Sequence, residues 1–148
     1  MKRLLNIFFL LGSLSLLFAC EDPNNAFDMS SPLAVIARDT LEAHRGETVL
    51  LTARLSDESG LESCAVEYSA WKVSQETILR EAGYPKSYDF SVEITIPADA
   101  ATSWIEDYQK NDGSIFKITQ TCHKLPLTFY DRFKNKNRVY FYIKILSE

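Results

Sequence analysis

Cysteine, histidine and clustered acids are the side chains with which this sequence can do chemistry, and it has few of them: three cysteines and two histidines. Cys64 and Cys122 lack CxxC partners and clustered histidines, so neither reads as half of a zinc site. His44 falls in an expected turn, and His123 directly follows Cys122. Neither has a His or Glu four residues away to form a metal-binding helix face. A Cys122–His123 nucleophile pair needs a free thiol, and Cys122 has a competing use in a disulfide. The sequence has no glycine-rich phosphate loop and no G-x-S-x-G elbow. It therefore predicts no catalytic residue and no cofactor. An enzyme reading would have to draw on His123, Asp131 and Glu106. Asp57, Glu58 and Asp131 stand in expected turns that a sandwich can bring to one end. Calcium takes six to eight oxygens, and turn carbonyls can supply some of them; the alternative is acids that only shape turns.

Aromatic residues offer the other chemistry, which is binding. Tyr140 and Tyr142 are expected to point outward from the last strand, with Trp104 and Tyr108 on an insert. Such rings suit sugar faces and protein partners alike. Trp71 either joins them or closes the core, and the insert either leaves the outward tyrosines open or covers them.

Period-two alternation supplies the elements that position these residues. In "SYDFSVEITIP", Tyr88, Phe90, Val92, Ile94 and Ile96 share one face, with Asp89, Ser91, Glu93 and Thr95 opposite. "ETVLLTARLSD" places Val49, Leu51, Ala53 and Leu55 together. "NRVYFYIKI" places Val139, Phe141, Ile143 and Ile145 inward. Cys64, Val66, Tyr68 and Ala70 share a face of a less regular strand, and "PLAVIA" opens the domain behind Pro32. His44-Arg45-Gly46, Asp57-Glu58-Ser59-Gly60 and Asp131 through Asn137 are the turns. About six strands without βαβ alternation predict an all-β antiparallel sandwich. Two stretches break the pattern. "PADAATSWIEDYQKNDG" has Ala101, Trp104, Ile105 and Tyr108 at helical spacing, Asp99 to cap its start and Asn111 or Gly113 its end, and predicts a short helical insert. "SIFKITQTCH" after it reads as a further strand. "SQETILREAGYPK" reads as either a short helix from Ser74 to Gly83 or an irregular edge.

The first residues read differently. Lys2 and Arg3 precede an uncharged run from Leu4 to Ala19, shorter than the roughly 20 apolar residues that span a bilayer, as in a secretory signal. Leu17-Phe18-Ala19-Cys20 resembles a bacterial lipobox, which implies lipidation at Cys20 and a membrane anchor there. Glu21-Asp22-Pro23-Asn24-Asn25 reads as a polar tether, and acids at that place resemble the surface-export signal of Bacteroidota-type lipoproteins. The expected layout is a signal over 1–19, a lipidated cysteine and flexible tether over 20–31, and one domain over 32–148. The implied location is the outer membrane, surface-exposed, with a periplasm-facing orientation as the alternative. Without Lys2 and Arg3, fourteen basic residues face twenty acidic ones, a net charge of −6. That balance disfavours nucleic acid as a partner. The basic cluster Arg132, Lys134, Lys136 and Arg138 reads as a solvated hairpin tip. With Cys20 lipidated, Cys64 and Cys122 form an even remainder in an exported protein. That suggests a disulfide, with two buried thiols as the alternative.

"GETVLLTARLSDESGLESCAVEY" resembles the strand, "D-x-S-G-L" turn and next strand of bacterial immunoglobulin-like modules. "LPLTFYDRFKNKNRVYFYIKI" resembles their final hairpin. The resemblance spans about half of the chain after Cys20 and implies an immunoglobulin-like β-sandwich in a small surface lipoprotein. The long stretch Pro97–Lys124 departs from it, and the His-x-His element of some relatives is missing, so no metal role is implied. The function expected is a binding or adhesion module for a glycan or a protein. The alternative is an accessory subunit of an outer-membrane complex.

Overall fold

The computed structural model describes residues 28–147, so the predicted signal and Cys20 lie outside the described residues. Within these residues ten strands follow one another. They are β1 (Leu33–Val35), β2 (Thr40–Ala43), β3 (Thr48–Ser56), β4 (Leu61–Tyr68), β5 (Val73–Ile78), β6 (Ser87–Thr95), β7 (Trp104–Gln109), β8 (Ile115–Gln120), β9 (Cys122–Asp131) and β10 (Lys136–Ile145). They form a three-stranded sheet in the order β1-β3-β6, a five-stranded sheet in the order β2-β10-β9-β4-β5, and a separate β7-β8 hairpin. All pairings are antiparallel except β2 with β10. The fold is an all-β sandwich with an immunoglobulin-like division of its strands between two sheets.

The alternating residues face inward as expected. Leu51, Ala53 and Leu55 of β3 and Phe90 and Ile94 of β6 meet Phe141, Ile143 and Ile145 of β10 and Leu125, Leu127 and Phe129 of β9 in one core. Full burial of each large aliphatic or phenyl side chain contributes roughly 1.5–3 kcal/mol. The turns work as their residues dictate. Asp57 Oδ1 accepts the backbone N–H groups of Ser59 (2.8 Å) and Gly60 (3.1 Å). Gly60 adopts φ +102°, and a Cβ there would run into the Tyr84 backbone carbonyl, so this turn needs glycine twice over.

Two expectations are corrected and one open alternative is decided. The helical insert is a β-hairpin: Trp104–Gln109 pairs with Ile115–Gln120 from Trp104↔Gln120 to Gln109↔Ile115. Trp104 and Tyr108, four residues apart, lie on one face in a strand as in a helix, so their spacing did not discriminate. Asn111 and Gly113, the two alternatives for the helix end, lie instead in the hairpin turn. Asp112 Oδ1 accepts the Ser114 N–H at 2.9 Å, and Gly113 sits at φ +84°. The Ser74–Gly83 region takes the second of its two readings, an edge: strand β5 is followed by a single 3-10 turn, Arg80–Ala82. The disulfide is absent, because Cys64 and Cys122 are both free. Cys64 pairs across the sheet with Phe129, seven residues along β9 from Cys122, a separation of about 23 Å. A bridge needs Cα atoms within about 7 Å.

The end of the expected tether lies against the domain. Asn135 Nδ2 donates to the Asp28 carbonyl (2.7 Å) and Asn137 Nδ2 to the Pro32 carbonyl (2.8 Å), with Pro32 fully buried. The chain therefore enters the sandwich beside the β9–β10 turn.

Candidate functional site

The inward column of β4 runs Cys64, Val66, Tyr68, and that of β9 runs back from Leu127 and Leu125 to His123. Backbone pairing between the two strands stops at Val66↔Leu127. The next residue of β9 is Pro126, which has no N–H to donate. Beyond it the strand ends are joined by side chains. Tyr68 Oη lies 2.8 Å from His123 Nδ1, and His123 Nε2 lies 2.7 Å from the Ala101 carbonyl. A carbonyl only accepts, so Nε2 carries a proton, and in the neutral ring Nδ1 accepts from the Tyr68 hydroxyl.

His123 is 4% exposed, and two indoles pack against it at a tilt. The Trp71 centroid is 4.5 Å from the imidazole and that of Trp104 4.6 Å. Trp71 comes from a 3-10 turn, Ser69–Trp71, between β4 and β5, and meets Tyr68 edge-on at 5.2 Å. Trp104 opens β7, so the imidazole joins the hairpin to the mouth of the sandwich. Asp99 and Glu106 complete the wall of a cleft of about 450 Å³.

Glu106 organises the hairpin face. Its Oε1 accepts the Trp104 indole N–H (2.8 Å), and its Oε2 accepts the Tyr108 hydroxyl (2.7 Å) and the Gln120 amide (3.2 Å). The bonds from Trp104 and Tyr108 hold its carboxyl below the ordinary glutamate range. Burial, with the Glu106 charge nearby, pushes the Tyr68 phenol up, so it stays protonated and able to donate.

The expected ligand-binding residues separate into two places. Trp104 lines the cleft and Tyr108 lies just outside it on the same hairpin face. Tyr140 and Tyr142 stand on the outward face of β10, where Lys124 Nζ sits 3.8 Å over the Tyr140 ring and 6.0 Å from that of Tyr142. Trp71 does both things considered for it: it is 8% exposed in the core and it lines the cleft. Asp99, read as a helix cap, and Tyr68, read as core, were missed as cleft residues. The alternation in "WIEDYQ" ahead of an Asp-Gly turn was the available signal. Of the residues of the enzyme reading, His123 and Glu106 both line the cleft, whereas Asp131 lies eight positions along β9 from His123, about 26 Å.

At that far end, Asp28, Asp57 and Asp131 bring carboxylate oxygens within 4.8 Å of one another, while Glu58 pairs instead with Lys86 at 3.6 Å. Asp131 accepts the backbone N–H groups of Phe133 and Asn135 (2.8 Å each) and the Asn135 amide (2.7 Å). With Asp57 likewise holding its own turn, we read the group as turn chemistry. The basic cluster is spread along the same hairpin. Lys134 pairs with buried Glu62, Arg132 packs over Tyr84, and Arg138 donates to Thr128.

No protein-family model matches the chain, and the search of curated proteins finds no match.

Proposed function

We propose that this chain is a lipid-anchored binding module of the outer membrane, held at Cys20, whose ligand enters the cleft between Trp71 and Trp104. The observation that carries the reading is the placement of the cleft. The chain enters the domain beside Asp131 and Asn135, and the cleft opens at the other end of β4 and β9, about 26 Å away. A site at the far pole from the tether faces away from the membrane, where a glycan or a protein can reach it. A pair of indoles with carboxylates beside them suits recognition. Both nitrogens of His123 are committed to holding Tyr68 and Ala101, which favours a positioning role for the imidazole over proton transfer.

Binding to immobilised carbohydrate and peptide panels tests this. Retention is expected for the native chain and loss of it for Trp104→Ala, with Tyr140→Ala unaffected. Turnover of an ester, glycoside or peptide that disappears in His123→Ala would overturn the reading in favour of an enzyme. Stoichiometric membrane partners that persist in Trp104→Ala would favour an accessory subunit.

A further inference from the structure

The hydrogen-bonding state of the cleft narrows the chemistry of its ligand. The Trp104 indole N–H is spent on Glu106, the Tyr68 hydroxyl on His123, and the His123 Nε2–H on the Ala101 carbonyl. Among the described side chains that line the cleft, Trp71 alone keeps an unbonded N–H. What the lining offers in quantity is aromatic surface and two carboxylates, Asp99 and Glu106. Among the described residues, no lysine or arginine lines it. Arg45 reaches only the back of the wall, donating to the Ala100 carbonyl at 2.9 Å.

A neutral sugar presents hydroxyls that accept as well as donate, and it needs donors in return. An organic ammonium group needs none. It is attracted to the faces of Trp and Tyr rings and to carboxylates, and it gains most where water is excluded. Resting on the reading of the cleft as a ligand site, we propose that the group it recognises is an organic ammonium head, seated against Trp104 and Tyr68 with Asp99 and Glu106 as counter-charges. A quaternary ammonium and a lysine-type primary ammonium share this chemistry. The bonds from Trp104 and Tyr108 keep Glu106 charged well into the acid range, so the counter-charge is present at neutral pH.

Both tryptophans of the chain line the cleft, so intrinsic fluorescence reports on it. The test titrates the full chain, held in a polyoxyethylene detergent, with choline, Nα-acetyl-lysinamide, cellobiose and 3,3-dimethylbutanol, the uncharged isostere of choline. Saturable quenching is expected with choline or Nα-acetyl-lysinamide, and whichever binds tighter identifies the kind of ammonium. The isostere should bind at least about tenfold more weakly. Glu106→Gln should weaken ammonium binding by about the same factor, and Asp99→Asn, which leaves the hairpin bonds untouched, should weaken it too. Equal binding of choline and its isostere, or binding of cellobiose alone, would overturn the ammonium assignment while leaving the cleft as a ligand site. Silence from all four probes would also overturn it, and retention on the wider panels would then decide the fate of the cleft separately.

Discussion

Cys64 and Cys122 show how far single residues could be read. Their even number in a chain expected to be exported pointed to a bridge, but that argument carries no register. Pairing of Cys64 with Phe129 places the thiols seven residues apart along β9. Burial pushes the Cys64 thiol up to about 11, with Glu76 adding to the rise and a hydrogen bond to Thr77 opposing it. At neutral pH Cys64 is therefore the unreactive thiol form. Iodoacetamide on the native protein should modify half-buried Cys122 and leave Cys64 until the chain is unfolded, as peptide mass mapping would show. Dithiothreitol should leave the melting temperature unchanged. A drop on reduction would contradict the register. The turn acids were legible for the opposite reason, since an Asp caps its own following amides without help from the rest of the fold.

The β7–β8 hairpin is the element that sequence periodicity misassigned and on which the site depends. An isolated two-stranded hairpin is marginal in water, and Ile105 and Ile115 are each 65% exposed on its outer face. Its attachment rests on the tilted ring contact of Trp104 with His123 and on the Glu106 bonds that set the Trp104 ring. Trp104→Ala should detach the hairpin while sparing the sandwich. The expected cost is about 1–2 kcal/mol, with amide exchange accelerated over 104–120 and unchanged in β9 and β10. Acid should do the same reversibly. Because the folded Glu106 carboxyl is held below its ordinary value, its contribution is complete above that value and disappears as pH falls through the lowered one. Tryptophan emission should shift in that acid range for the native chain and lack the shift in Glu106→Gln. The sandwich strands were legible because each buries one face against a large core. The hairpin has so little of its own core that alternation was weak and Ala101, Trp104, Ile105 and Tyr108 mimicked a helix.

Across the domain, β4 and β9 have two distinct poles: Asp28 and Pro32 are held at the Asp131 end, and the Tyr68–His123 end forms the cleft. The long strands and their inward faces followed from the sequence. The cleft did not, because it is assembled from three connections brought together only in the fold: the Ser69–Trp71 turn, the Asp99–Ala101 segment and the hairpin. The anchoring half of the proposal predicts that an alkynyl fatty acid labels the native chain and fails to label Cys20→Ser, which should then be soluble. Equal labelling of both would remove the anchor. The binding half is best judged by titrating a panel-selected ligand into ¹⁵N-labelled protein, in which the two tryptophans give two indole N–H signals. The signals of Trp71 and Trp104 should move together and saturate with the amides of Ala100, Ala101 and Glu106, while those of Tyr140, Tyr142 and Asp131 stay in place. A ligand that saturates the protein while shifting the β10 tyrosines or the Asp131 turn, with both indole signals unmoved, would contradict the cleft as the binding site.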